Sequence, residues 1–241
     1  MKPMKTIIKL TGIFFLLILT SSCFYTGVKG NGHVITENRK ISNDFNRIEA
    51  SKGLEVYITK NRDLALVVEA DENLHELIQT DVIDGTLIIT AEKNIGFAKA
   101  KKIHLSVDNL NEILVSSGAE IYSENTFFTD DLEVRATSGS EAKLTLNVIN
   151  LTCEATSGAD IYLRGKADTF EVNASSGSDI NAYELDVKNC IAKASSGSDI
   201  KVKVNDAFDG KATSGADIKY KGNPKIISKN KSSGGSINNN S

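Results

Sequence analysis

Apolar and polar residues alternate along most of this chain, in short bursts. Leu54/Val56/Ile58, Leu64/Leu66/Val68, Leu87/Ile89 and Ile103/Leu105/Val107 mark the first half. Leu132/Val134/Ala136, Leu151/Cys153/Ala155, Phe170/Val172/Ala174 and Cys190/Ala192/Ala194 mark the second. A period of two puts successive side chains on opposite faces of a strand, so each burst predicts a half-buried strand. No segment of 113–220 keeps an apolar face at the 3.6-residue period for three turns, so no helix is expected there. Asp84-Gly85, between Val82/Ile83 and Leu87/Ile88/Ile89, predicts a tight turn. Glu72 to Ile78 predicts a short helical turn or loop.

The bursts are separated by one recurring motif. It reads Ser116-Ser117-Gly118-Ala119-Glu120-Ile121, Thr137-Ser138-Gly139-Ser140-Glu141-Ala142 and Thr156-Ser157-Gly158-Ala159-Asp160-Ile161. It continues as Ser175-Ser176-Gly177-Ser178-Asp179-Ile180, Ser195-Ser196-Gly197-Ser198-Asp199-Ile200 and Thr213-Ser214-Gly215-Ala216-Asp217-Ile218. The glycines are 21, 19, 19, 20 and 18 residues apart, and a looser copy at Ser232-Ser233-Gly234 lies 19 further on. A unit this short has no room for a helix, a strand and two loops. A fixed period of stacked short strands predicts an all-β fold, a parallel β-solenoid with coils of 18–21 residues. Each coil adds one rung of ~4.8 Å. The Ser-Gly step then marks a tight corner or a close backbone approach, because glycine takes positive φ without steric cost. The Ser or Ala after it faces a narrow core. Less regular coils or a cap are expected at the N-terminal side. The competing architectures are a sandwich or a propeller, whose blades need ~40 residues.

That register bears on the cysteines. Cys153 and Cys190 are 37 residues apart, about two coils, or roughly 9.6 Å when stacked. A disulfide needs Cα atoms within ~7 Å. Both fall on the apolar phase and are expected as small buried hydrophobes.

The opening residues change the picture from a stack to an exported stack. Lys2, Lys5 and Lys9 precede an apolar run from Ile13 to Leu19, far short of the ~20 residues that span a bilayer as a helix. An ordinary cleaved secretory signal is one reading. Leu19-Thr20-Ser21-Ser22-Cys23 resembles a lipobox, which implies that Cys23 is acylated and anchors the mature chain to a bacterial envelope membrane, expected to be the outer membrane. The domain reading is a signal over 1–22, a tether over 23–40, an N-terminal β region over 41–110 and the repeat stack over 111–241 with a frayed tail.

Composition narrows the chemistry. Net charge is -3, aromatics are 6%, Trp is absent, and no basic block tracks nucleic acid, so a nucleic-acid partner is not expected. One acid recurs at the same motif position: Glu120, Glu141, Asp160, Asp179, Asp199 and Asp217. Stacked, these form a ladder of like charges that disfavour one another's ionisation, which a cation such as Ca²⁺ would relieve. The plainer reading is that they accept bonds from turn amides, or face water beside Arg135, Lys143, Lys193 and Lys201. His33, His75 and His104 have no metal-site spacing, and His75 and His104 are expected at the surface. No serine sits in a nucleophile elbow, and the acids are monotonous rather than a singular pair, so no catalytic residue is assigned and no enzyme is expected.

Phe45-Asn46-Arg47-Ile48, Gly53-Leu54-Glu55-Val56-Tyr57-Ile58, Asp84-Gly85-Thr86-Leu87, the recurring Ser-Gly-Ala/Ser-Asp-Ile unit and Gly235-Ser236-Ile237-Asn238 carry a resemblance. Over roughly Phe45 to Ile237 the chain resembles the auto-transporter adhesin family with a head GIN domain, common as Bacteroidetes lipoproteins. The resemblance implies an exported β-solenoid-like domain with a role in adhesion, and it carries no catalytic residues over. The expected function is a non-enzymatic envelope lipoprotein that binds a glycan or an envelope protein through an extended face. The alternatives are a structural envelope component without a ligand, and a polysaccharide lyase-like enzyme.

Overall fold

The computed structural model describes residues 27–240. Seventeen strands make up nearly all of its regular secondary structure: β1 Val34–Arg39, β2 Arg47–Ala50, β3 Glu55–Lys60, β4 Ala65–Asp71, β5 Ile78–Ile83, β6 Thr86–Ala91, β7 Lys101–Val107, β8 Glu112–Val115 and β9 Glu120–Ser123 come first. They are followed by β10 Phe127–Thr137, β11 Glu141–Thr156, β12 Asp160–Ala174, β13 Asp179–Ala194, β14 Asp199–Ala212, β15 Asp217–Lys221, β16 Ile226–Lys231 and β17 Ser236–Asn239. The expected helical turn is a single 3-10 turn, Glu72–Leu74.

From β8 onward the strands pair in parallel, each residue with the one about one repeat later. Glu141 pairs with Asp160, Asp160 with Asp179, Asp179 with Asp199 and Asp199 with Asp217. This register is a parallel solenoid and excludes the sandwich and the propeller. Two walls result. Wall A holds β6, β2, β8, the later halves of β10 to β14, and β16. Wall B holds β7, β3, β9, the earlier halves of β11 to β14, β15 and β17. β11 to β14 are long because each bends from wall B round to wall A as one strand. The coil from Gly177 to Gly197 is one residue longer than the coil before it and two longer than the coil after it, and the surplus is taken up by irregular register between Tyr162 and Arg164 on one side and between Ala182 and Asp186 and between Val187 and Asn189 on the other.

Between the walls, stacked side chains form columns. Val56, Ile121, Ala142, Ile161, Ile180, Ile200, Ile218 and Ile237 stand above one another, all buried. Burying each large member contributes about 1.5–3 kcal/mol, and branched side chains suit the pleated wall. Cys153 and Cys190 are buried free thiols, as the alternation requires. They stand in neighbouring columns, since Cys153 pairs with Val172 and Cys190 with Phe170.

The corner is a two-residue turn in which both central residues are left-handed. Ser117, Ser138, Ser157, Ser176, Ser196 and Ser214 have φ of 53–56°, and the glycines after them 66–72°. Positive φ at both positions is the type I′ turn, closed in the first motif by the Ala119 N–H donating to Ser116 O at 3.1 Å. A Cβ built on any of these six glycines meets nothing within 4 Å, so backbone angle alone requires glycine there. The turns are also tied along the axis. Each glycine N–H donates to the serine carbonyl of the next turn, from Gly118 to Ser138 O through Gly215 to Ser233 O, at 3.1–3.2 Å. Lys52-Gly53 is one more turn of the same kind, bonded to Ser117 O. Where the buried residue after glycine is serine, its hydroxyl is satisfied: Ser178 Oγ donates to Ala155 O at 2.8 Å and accepts the Ser175 N–H at 3.1 Å.

The N-terminal part is a cap with a reordered rung. The coil of β2 and β3 lies between the coil of β6 and β7 on one side and that of β8 and β9 on the other. The coils therefore begin inside the stack with β2 and β3, build outward to β6 and β7, and cross back to β8 and β9. β4 runs antiparallel to β7, β1 to β4 and β5 to β6, which closes the end with antiparallel ladders. Two expectations are corrected here. Residues 34–39, expected within a tether, are a paired strand. The C-terminal residues, expected to fray, form β16 and β17. Asp71 pins the cap: fully buried, its carboxylate accepts N–H bonds from Gly32 (2.8 Å), Lys99 (3.0 Å) and Ala100 (3.0 Å). Burial alone would push this carboxyl up, but the three backbone donors hold it below its ordinary range. His75, expected at the surface, is buried beside it, bonded to Glu37 at 3.0 Å and facing the Ala70 carbonyl at 3.2 Å.

Candidate functional site

The corner turn fixes the direction of the side chains beyond it. Because each turn ends at the same step, the next residue points outward at the start of wall B in every coil. Glu120, Glu141, Asp160, Asp179, Asp199 and Asp217 thus form one continuous column, each half-buried and paired with the next. Glu55 extends it by a rung, and Ser236 ends it. The motif does not single out Glu55, because its turn is Lys52-Gly53 rather than Ser-Gly; the shared Gly-Leu-Glu-Val phase is the signal that could have found it.

A second outward column stands two residues on. It runs His104, Tyr57, Tyr122, Lys143, Tyr162, Asn181, Lys201, Lys219 and Asn238. Tyr57 stacks on His104 and on Tyr122 with ring centroids 5.2 Å apart in both pairs. The Lys143 ammonium continues the pile, 5.5 Å from the Tyr122 ring and 5.3 Å from that of Tyr162. The ring faces are used against one another, so this column shows edges and hydroxyls to solvent.

The two columns are bonded together. The Tyr122 hydroxyl donates to Glu120 at 2.5 Å and Glu141 at 3.2 Å, and that of Tyr57 to Glu55 at 3.3 Å. Burial and these carboxylates push the Tyr122 hydroxyl far up, so it stays a donor. Lys143 reaches Glu141 at 2.6 Å, and Lys201 lies 3.9 Å from Asp179. Arg135 and Lys193, also expected beside the acids, instead pair with Glu133 and Glu171 on wall A. Burial, then the Asp179 and Glu141 carboxylates, push the Asp160 carboxyl above its ordinary range. One oxygen of Asp179 is buried without a hydrogen-bond donor. At Asp179 the carboxylate column thus holds an acceptor that the protein does not fill. Among the described residues, no three His, Cys, Asp or Glu side chains converge to hold a metal ion. A row spreads its oxygens along a line instead.

One hollow lies within the second column and a larger one lies on the far side of the bend. A notch of about 220 Å³ opens between Tyr122 and Tyr162 over Lys143. A trough of about 640 Å³ follows the bend of β11 to β14, lined by Leu151, Phe170, Ile191 and Phe208. Cys190 borders it, but burial pushes that thiol far up, which removes its nucleophilicity. Cys23 lies outside the described residues. Among the described residues no helix is long and apolar enough to cross a membrane.

The family model described as "Putative auto-transporter adhesin, head GIN domain" matches residues 44–224. The chain is similar to the solved structure of a protein titled a putative adhesin from Bacteroides fragilis, at 26% identity and a TM-score of 0.82, covering 88% of this chain and 100% of that one. It shares its fold with one titled a putative adhesin from Parabacteroides merdae, at 19% identity and 0.72, and with one titled a putative lipid binding protein from Parabacteroides distasonis, at 22% and 0.72. Each of these two comparisons covers 89% of this chain and 99% of the other. No curated protein matches it.

Proposed function

Since the chain belongs to the auto-transporter adhesin family with a head GIN domain, we propose that it is a non-enzymatic binding protein of the bacterial cell envelope, and that it binds through the outer face of wall B. The single observation behind this reading is the unbroken carboxylate column from Glu55 to Asp217 beside a column of tyrosine, lysine and asparagine. A row at constant spacing suits a linear or repetitive partner, such as a polyhydroxylated glycan, because each weak contact recurs at the next rung and the contacts act together. Glycan hydroxyls donate to the exposed oxygens of the column carboxylates, and the tyrosine hydroxyls and lysines stand beside them. Anchoring falls to Cys23: a C23S chain is expected to stay as precursor or leave the membrane fraction, and normal mass and fractionation would contradict that role.

The test is the variant E141Q/D179N/D217N. Binding to a panel of immobilised polysaccharides and to native envelope vesicles is expected to weaken several-fold, with the melting temperature nearly intact. Unchanged binding, or a change confined to stability, would show that the acids serve the corner and not a partner.

A further inference from the structure

At the cap, one corner of the solenoid is not a tight turn. Four residues, 51–54, carry the chain from β2 to β3, but nine, 92–100, carry it from β6 to β7. Ile95 of this loop is buried, whereas Phe97 is 79% exposed, the highest value for a large apolar side chain among the described residues. The loop is tied down on both sides. Residues 27–30 run alongside it: the Val28 N–H donates to Asn94 O at 2.8 Å, and the Gly96 and Gly30 N–H groups to Val28 O and Phe97 O at 2.9 Å. Gly27 lies so close that a Cβ on it would stand 2.4 Å from the Gly96 nitrogen. The Asp71 carboxylate grips the same two segments, through the N–H groups of Gly32, Lys99 and Ala100. The region is also basic. Residues 27–33 and 92–102 together hold five lysines and one acid, Glu92, and Lys29, Lys93 and Lys99 are exposed. Glu72, on the neighbouring 3-10 turn, bonds His33 at 3.3 Å.

We propose that this loop is a membrane-contact face: Phe97 enters the interfacial layer of an anionic phospholipid bilayer, and Lys29, Lys93 and Lys99 meet the headgroup phosphates. The proposal rests on the anchoring of the chain through Cys23. Four residue steps separate Cys23 from Gly27, and even fully extended they span at most about 14 Å. An acylated Cys23 lies at the membrane surface, so Gly27 and the loop packed on it are held there too. An aromatic side chain gains by leaving water for the interface, and a lysine gains near an anionic leaflet within a Debye length. A basic patch also firms the hold of acyl chains. A single exposed apolar side chain is ordinary on most protein surfaces. Position separates Phe97 from Ile226, which is 70% exposed: Ile226 lies on β16, eight rungs of wall A from β6, or roughly 38 Å. The contact turns the cap toward the membrane and does not depend on what the row of wall B binds.

The lipidated chain in vesicles of phosphatidylcholine and phosphatidylglycerol, with plain or brominated acyl chains, tests this. The protein has no tryptophan, so F97W and I226W each introduce a single fluorophore at an exposed position. Brominated lipid is expected to quench F97W several-fold and to leave I226W unchanged. K29E/K93E, added to F97W, is expected to reduce the quenching several-fold while the chain still sediments with the vesicles. Omitting phosphatidylglycerol or raising the salt is expected to do the same without any further substitution. Lys99 is left in place because its charge also acts on the Asp71 carboxylate. A chain that does not sediment with the vesicles would remove the Cys23 anchor and this contact with it. A chain that sediments while F97W is quenched no more than I226W would overturn the contact and leave the anchor standing. Quenching of F97W that neither K29E/K93E nor the loss of phosphatidylglycerol reduces would overturn the recognition of anionic headgroups.

Discussion

Asp71 ties the cap together through a single side chain, because it joins the segment before β1 to the segment before β7. Its ordinary unfolded pKa is about 3.9, and its folded value is lower. The stabilisation it gives is therefore complete above the unfolded value and is lost as pH falls through the folded one. D71N is expected to destabilise the chain by about 1.5–3 kcal/mol at neutral pH and to flatten the acid limb of a melting-temperature profile. A variant with an unchanged acid limb would remove Asp71 from that role. Nothing in the sequence around Asp71 distinguishes it from the other acids of the region, because its three donors come from residues 28 to 39 positions away. The same holds for His75, whose buried place depends on β1. The cysteines were legible, since alternation alone assigns a side chain to the core.

At the scale of the element, the corner turn sets the register of everything after it. The two classes of glycine separate in a simple experiment. G177A keeps open space around its Cβ but holds a φ of 70°, so its cost is about 1–2 kcal/mol. At Gly165 the φ is 108° and an added Cβ would land on the Leu146 carbonyl oxygen, so G165A is expected to cost about 3 kcal/mol or more. Urea melts of the two variants check the order, and equal costs would contradict it. The repeat made the first class legible: six Ser-Gly steps at one period need a common backbone. It did not show that the serine is left-handed too, because serine tolerates that region only where a turn imposes it. The coil order of the cap was hidden for a different reason. Rungs β2–β3 and β6–β7 differ in sequence, and adjacency in the stack does not follow adjacency in the chain.

At the scale of the whole molecule, charge is distributed by region. Residues 108–217 hold nineteen acids and nine lysines or arginines, against twelve and eleven in residues 28–107. The acidic middle coincides with the stretch in which the carboxylate column is unbroken, and the column's existence was readable from motif spacing alone. Its companion column was not: Tyr57, Tyr122, Lys143 and Tyr162 share no residue type, and only the register aligns them. The central claim is that binding resides in a row rather than in one pocket, and one coil can be removed to test it. Deleting residues 160–178 joins Ala159 to Asp179 in the same motif phase and shortens the column by one acid. Affinity for the retained polysaccharide or envelope partner, measured beside circular dichroism of the shortened chain, is the decisive quantity. A row predicts an intact β spectrum with binding weakened by a modest factor, and weakened again by a second coil deletion. Binding that is untouched by either deletion, or abolished outright by one while the fold persists, would contradict it.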